Sequence, residues 1–283
     1  MPQLFDTHAH LNLREFADDW REVAENSLTK GVFVINVGVN YLSSRKAVDI
    51  ARERGRGMWA AIGLHPENIL VGQQPGTNDR CVPENIKEAD FDADAYRELA
   101  RSSDRVVAIG EIGLDYLRLP KNESAAAAIK EKQEAVFRKQ LALARGLDLP
   151  VIIHSRLAHR ELIDILQNEA RANGPISGVV HCFTGTAGDA REYYDLGLYF
   201  GLNGIIFKFD ANEAIAKMPL DRILLETDCP YLSPLKEVKR NEPQYVSVVA
   251  ERVAQIRGES IGSVIEAATE NSKKLFGLTY FKR

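Results

Sequence analysis

The chain has little cysteine, no long apolar run and no surplus of basic charge, and each shortage removes a class of protein. Its three cysteines, Cys81, Cys182 and Cys229, are odd in number and widely spaced, without a CxxC pair. That excludes a disulfide framework or a zinc knuckle and points to a reducing, cytoplasmic setting. No stretch reaches the roughly 18 apolar residues expected of a membrane span. The N-terminus runs straight into a strand-like segment, without the basic and apolar regions of a signal peptide. A soluble protein with no membrane partner is expected. The 36 basic residues are outnumbered by 40 acidic ones, giving a formal net charge of −4. A sequence-independent grip on a polyanion normally shows clustered Lys and Arg, so a phosphate-bearing substrate would need bound cations or a few local basic groups. A glycine-rich phosphate turn after an early strand, the mark of an open doubly wound sheet, is also missing.

What the chain does have is alternation. Apolar strand-like runs fall at Leu4–Thr7, Val32–Val37, Met58–Ile62, Val106–Gly110, Val151–Ile153, Val179–Val180, Leu198–Leu202 and Ile223–Leu225. Runs such as Val-Phe-Val-Ile-Asn-Val lack polar alternation, as strands covered on both faces do. Amphipathic stretches separate them, at 14–30, 43–54, 92–102, 124–145, 157–172, 188–196 and 212–217, with Gly31, Gly55, Gly146 and Gly197 standing where helices would stop. Two further helical stretches, 243–256 and 261–275, come after the eighth strand, the second opening at Ser260. Eight βα repeats in 283 residues predict one α/β domain over 1–283, a parallel (β/α)8 TIM-type barrel with extra C-terminal helices. Residues 71–91 read as a long surface loop.

Polar residues placed on those strands form a pattern. His8 and His10 follow strand one in Asp-Thr-His-Ala-His, His65 follows strand three, and Glu111 ends strand four. His154, His181 and Asp228 end strands five, six and eight. All stand at C-terminal strand ends, where barrels of this class build their sites. Five of the six histidines are there; the sixth, His159, lies in a helical stretch and reads as ordinary surface. Each residue alone has an ordinary explanation as a core histidine, a salt-bridge partner or a turn former. Together they suit divalent metal coordination, with enough ligands for two ions if one carboxylate bridges. Residues two apart on a strand share a face, so Asp6 is expected behind His8 and His10, accepting a remote imidazole N–H, and Glu226 stands in the same relation to Asp228. Cys182 and Cys229 neighbour ligands but point elsewhere, as packing.

Seven motifs occur in order: Asp-Thr-His-Ala-His, Gly-Leu-His-Pro, Gly-Glu-Ile-Gly-Leu-Asp-Tyr, Ile-His-Ser-Arg, His-Cys-Phe-Thr-Gly, Leu-Glu-Thr-Asp-Cys-Pro-Tyr-Leu and Arg-Asn-Glu-Pro. From Phe5 to about Phe276 the chain resembles the TatD family of metal-dependent deoxyribonucleases. That resemblance implies hydrolysis of DNA phosphodiester bonds, often as a 3′→5′ exonuclease. Single-stranded DNA ends are the expected substrate, and with no coiled-coil pattern or exposed apolar face in the sequence a monomer is expected. The resemblance implies a first metal held by His8, His10 and Asp228, a second by His154 and His181, and Glu111 bridging. His65 would face the scissile phosphate. Two ions about 3.5–4 Å apart, whether Mg, Mn or Zn, bind phosphate oxygens, acidify water and stabilise the leaving alkoxide. Asp228 would take the water's proton, His65 would donate a hydrogen bond, and Arg156 would clamp phosphate bidentately. For Tyr116 and Tyr231, stacking on bases and packing are both open, as are rim and turn roles for Arg240, Asn241 and Glu242. The rival is an amidohydrolase-type enzyme acting on a small ester, amide or phosphoester. Such barrels often bridge their metals with a carboxylated lysine at strand four, and no lysine occurs between Arg105 and Leu119.

Overall fold

The computed structural model describes residues 4–69 and 91–278. Eight parallel strands succeed one another in sequence order around a single sheet: β1 (Leu4–Ala9), β2 (Val32–Val37), β3 (Met58–Ile62), β4 (Val106–Asp115), β5 (Val151–Arg156), β6 (Gly178–Val180), β7 (Tyr199–Leu202) and β8 (Ile223–Leu225). The circle closes at the C-terminal end of β1. There Ala9 bridges Cys229, His10 N donates to Cys229 O (2.9 Å), and Asp228 N donates to His8 O (2.8 Å). The helices α1 (Trp20–Thr29), α2 (Tyr41–Arg54), α3 (Ala93–Arg101), α4 (Glu123–Leu147), α5 (His159–Asn173), α6 (Ala187–Asp195) and α7 (Asn212–Lys217) alternate with the strands, and α8 (Val246–Arg257) and α9 (Ile261–Phe276) come after β8. This is the expected barrel with its extra C-terminal helices.

The strands lack polar alternation because both of their faces are buried, and each face feeds a separate cluster. Phe5, Phe33, Ile35, Trp59, Ile152, Val179, Tyr199 and Leu224 fill the barrel interior. Their sequence neighbours Leu4, Val34, Met58, Ile153, Val180, Phe200 and Leu225 pack outward under the helices. Leu275, Phe276 and Leu278, at the end of α9, join the interior cluster. Asn271 Nδ2 on the same helix donates to Leu220 O and Ile223 O, both 2.9 Å. The tail of α9 thereby closes the base of the barrel, and the C-terminal strand ends form its other end.

Sequence boundaries shift in several places. β4 does not stop at Gly110 but runs through Asp115, so Glu111 lies inside a strand. Gly146 does not end a helix: α4 continues to Leu147 and is capped by Asp148 in the left-handed region (φ 54°). A 3-10 turn, Arg14–Phe16, precedes α1 where one helix was expected. Ser260 caps α9, accepting from Ser263 N at 3.0 Å. Of the expected loop 71–91, residues 71–90 lie outside the described residues, as does Cys81; Phe91 packs on Tyr96 with ring centroids 4.7 Å apart.

Gly113 shows how closely β4 and β5 approach. Its φ is +143°, and a Cβ there would lie 2.1 Å from His154 O. Gly113→Ala meets both a backbone clash and an unfavourable conformation, and is expected to cost roughly 2–4 kcal/mol of stability. Urea unfolding monitored by circular dichroism tests this; an unchanged midpoint would contradict the packing described.

Candidate metal centre

Two irregularities in the sheet aim the polar residues inward. On β1, Asp6 pairs with Val34 but Ala9 pairs with Asn36, so β1 carries one extra residue. On β4, Ile109 pairs with Val151 but Ile112 pairs with Ile153, again one extra residue. Each extra residue reverses the in–out phase of the strand beyond it, as β-bulges beside functional sites do. Phe5 faces the interior, and after the irregularity so do His8 and His10, while Ala9 and Leu11 pack outward. Glu111, Gly113 and Asp115 likewise alternate with the outward Ile112 and Leu114.

At the barrel mouth, His8 Nε2 lies 3.2 Å from His10 Nε2 and 3.4 Å from Glu111 Oε2, and Asp228 Oδ1 lies 3.3 Å from His10 Nε2 and 3.9 Å from His8 Nε2. The other glutamate oxygen turns away: Glu111 Oε1 lies 2.7 Å from His154 Nδ1, 3.5 Å from His65 Nε2 and 3.7 Å from His181 Nε2. One buried carboxylate is thus shared between two sets of imidazoles. Donors about 2.1 Å from a common ion stand about 3.0–3.4 Å apart, close to the separations in the first set. His8 is fully buried, and its Nδ1 has no hydrogen-bond partner. The donor chemistry of His8, His10 and Glu111, with ligand atoms within 4.8 Å of one another, fits a divalent metal ion, to which His8 would turn Nε2 and not the orphaned Nδ1.

Neighbouring groups fix the rings. His10 Nδ1 donates to Val37 O (2.8 Å), which leaves Nε2 to face inward. His181 Nδ1 is ion-paired with Glu226 Oε1 at 2.8 Å, and that oxygen accepts from Cys182 N and from Asn203 Nδ2. Gly201 makes room for this carboxylate, since a Cβ there would sit 2.2 Å from Glu226 Oε2. Asp228 and Cys182 adopt φ of +58° and +47°, uncommon values that cluster at functional sites.

Asp6 departs from expectation. It contacts no imidazole; its oxygens accept from Thr227 N (2.8 Å), Thr227 Oγ1 (2.6 Å) and His8 N (3.2 Å). The extra residue in β1 removes the shared face that simple parity assigns to it. Asp6 instead ties β1 to the residue preceding Asp228. Asp115 escapes the reading of the sequence. Within reach of β5, its Oδ2 lies 3.1 Å from His154 Nε2, so His154 is held between two carboxylates. Four residues beyond Glu111 on one strand face, it is legible only if β4 is extended past Gly110. His159 is not ordinary surface: it contacts Ser155 Oγ (3.2 Å), Tyr193 Oη (3.0 Å) and Thr184 Oγ1 (3.4 Å). Arg156 stands at the mouth, its side chain 48% exposed, with Nη1 3.8 Å from Asp115 Oδ2. Arg240 and Asn241 serve the turn: Arg240 binds Asp19 through two nitrogens, and Asn241 donates to Thr227 O and Tyr231 O. Cys182 and Cys229 are free thiols whose pKa burial raises, consistent with packing.

The electrostatics call for positive charge. Burial opposes ionisation of Glu111, yet His65, His8, His181 and His154 hold its carboxyl well below the usual range. Asp228 is lowered too, against burial, by His10 and the neighbouring imidazoles. Burial works against charge on His154 and His181, but Asp115 and Glu111 push the first up to about 10, and Glu226 and Glu111 push the second to about 9. Protons and cations compete for such a site.

The sequence matches the TatD-related DNase family over residues 5–277. It is 36% identical over 278 residues to the metal-dependent hydrolase YabD of Bacillus subtilis, covering 96% of this chain and 98% of that one. It is 34% identical over 285 residues to the 3′-5′ ssDNA/RNA exonuclease TatD of Pantoea ananatis, covering 97% and 100%. The crystal structure of YjjV, a TatD homologue from Escherichia coli, superposes with a TM-score of 0.81 at 27% identity, covering 98% and 99%.

Burial pushes the Asp6 pKa up to about 8 from 3.8, against the hydrogen bonds from Thr227 and His8. The native state then keeps a proton that the unfolded chain releases, so Asp6 lowers stability as pH rises between those two values. Asp6→Asn removes that dependence. With chelator present, its urea midpoint should gain on the wild type from about pH 4 to about pH 8; a gap that stays constant across this window would refute the shift.

Proposed function

Because the chain belongs to the TatD-related DNase family, we propose that it is a metal-dependent deoxyribonuclease that hydrolyses phosphodiester bonds, removing nucleotides 3′→5′ from single-stranded ends. The observation that carries the reading is the division of Glu111, with Oε2 toward His8 and His10 and Oε1 toward His154, His65 and His181. In this proposal His8, His10 and Asp228 would hold one ion and His154 and His181 a second, with Glu111 available to both sets. Divalent ions bound there, Mg, Mn or Zn, would supply positive charge for the phosphate oxygens and acidity for the attacking water.

The protein groups do the rest. Asp228, with its side chain 16% exposed, faces the mouth and accepts the proton of the water. His65 has a different task from the other histidines, and its tautomer supports this. Its Nδ1 accepts a hydrogen bond from Glu67 N (3.1 Å), so the neutral ring carries its proton on Nε2. That atom is a donor and not a free lone pair, suited to a phosphate oxygen or the leaving group. The Arg156 guanidinium binds a phosphate oxygen pair at the rim, and Asp115, Glu226 and the Val37 carbonyl orient His154, His181 and His10.

The remaining expectations belong to the same proposal: one domain over 1–283, acting as a monomer in the cytoplasm. The unpaired Cys182 and Cys229 support a reducing compartment, and no described helix is long and apolar enough to cross a membrane. The amidohydrolase alternative is disfavoured by Glu111 in place of a lysine and by the relatives' names.

Glu111→Gln should abolish hydrolysis and lower the bound metal measured by plasma mass spectrometry, with the circular dichroism spectrum unchanged. Normal activity with normal metal content would remove the bridging role. His65→Ala should keep its metal while kcat falls about 10²–10⁴-fold; loss of the ions would make His65 a ligand. Metal-stripped protein given Mg, Mn or Zn separately should shorten 5′-labelled single-stranded DNA into a ladder. No shortening with any ion would sink the nuclease reading.

A further inference from the structure

Among the described residues, six large hydrophobic side chains are exposed: Leu42, Leu117, Leu157, Phe207, Phe209 and Ile261. Scattered singly, such residues need no explanation. These are not scattered. All but Ile261 lie just past the C-terminal ends of strands, on the face that holds the metal centre.

Three of the loops also share a sequence pattern, an exposed apolar residue beside a cation: Leu117-Arg118 after β4, Arg156-Leu157 after β5, and Phe207-Lys208-Phe209 after β7. The first two are laced together, since Tyr116 N donates to Arg156 O at 2.9 Å. Leu157 is 70% exposed and held at φ +56°, an unfavourable backbone for a bulky residue that gains nothing from burial. The third segment grows directly from the wall of the site. Asn203 donates to Glu226 Oε1 (3.0 Å), and the next residue, Gly204, is pressed so closely on Leu232 that a Cβ would lie 1.7 Å from its carbonyl oxygen. Ile206 is buried, and Lys208 N and Phe209 N both donate to Ile205 O at 2.8 Å. The two rings, 42% and 45% exposed, are therefore carried on an anchored turn.

We propose that this rim is a stacking platform for unpaired nucleobases, with Phe207 and Phe209 receiving bases of the strand whose terminal phosphodiester lies in the metal centre, and Lys208 the phosphate between them. The proposal rests on the nuclease reading and names its selectivity device. Alternating apolar and cationic groups match the alternating bases and phosphates of a single strand, whereas a duplex keeps its base faces stacked on one another. Rigid aromatic rings serve any base, so the platform selects for strandedness and not for sequence.

The test compares two substrates with the metal-loaded enzyme: bis(p-nitrophenyl) phosphate, which has no bases, and a single strand of about ten nucleotides. The Phe207→Ala/Phe209→Ala variant should hydrolyse the small ester with unchanged kcat and KM, which also verifies its fold. Its KM for the oligonucleotide should rise about 10- to 100-fold, and Phe207→Trp/Phe209→Trp should restore it. An oligonucleotide with abasic sites behind its 3′-terminal nucleotide should impose the same loss on the wild type and no further loss on the double alanine variant. An unchanged oligonucleotide KM overturns the platform while leaving the nuclease reading intact. Oligonucleotide KM unchanged, with a wild-type dimer that becomes monomeric in the variant, assigns the face to a second copy and overturns it too. Wild type that cleaves the ester but no oligonucleotide overturns both readings together.

Discussion

Glu111 is a carboxylate held near the axis of a barrel, 4% exposed, and the site is organised around satisfying it. Burying a charge is tolerable only when opposite charge and hydrogen bonds surround it. Here five histidines, from β1 and its end, from β5 and from the turns after β3 and β6, approach its two oxygens from different sides. Four of those rings, His154, His181, His10 and His65, are oriented in turn by Asp115, Glu226, Val37 O and Glu67 N. The chemistry is therefore spread over most of the barrel, and no two neighbouring elements carry it alone.

The seam between β1 and β8 sets whether these groups meet. A barrel of eight strands closes only if its first and last strands find each other, and here the contact is concentrated at the mouth. Asp6, Thr7, His8, His10, Leu225, Thr227, Asp228 and Cys229 interlock through backbone and side-chain hydrogen bonds. The interactions that complete the fold also place His8, His10 and Asp228 side by side. The contacts that close the sheet are thus the ones that bring the proposed first ligand set together.

The alternation of strands and helices is legible because it is written in which segments are uniformly apolar, and the strand-end histidines because they break those runs. Fine placement is less legible. The extra residues in β1 and β4 carry no compositional mark, since a bulge is a relation between two strands; simple parity therefore puts Asp6 on the histidine face and ends β4 too early, hiding Asp115. His159 looks ordinary because its partners Tyr193 and Thr184 come from α6 and the turn after β6, far along the chain. Gly146 looks like a stop because glycine disfavours helix, yet α4 packs through Phe137, Leu141 and Ala144 and absorbs it.

The tail of α9 fills the floor of the barrel with Leu275, Phe276 and Leu278, beneath an interior already packed by Phe5, Phe33 and Trp59, so the polar cluster opens to solvent only at the mouth. A polymer cannot thread through the barrel, so in the proposed reaction the strand is met from the mouth alone. In the proposed reaction the freed nucleotide has no rear exit. It leaves by the same face that received the strand. Product release therefore joins bond breaking as a step that this architecture can make slow.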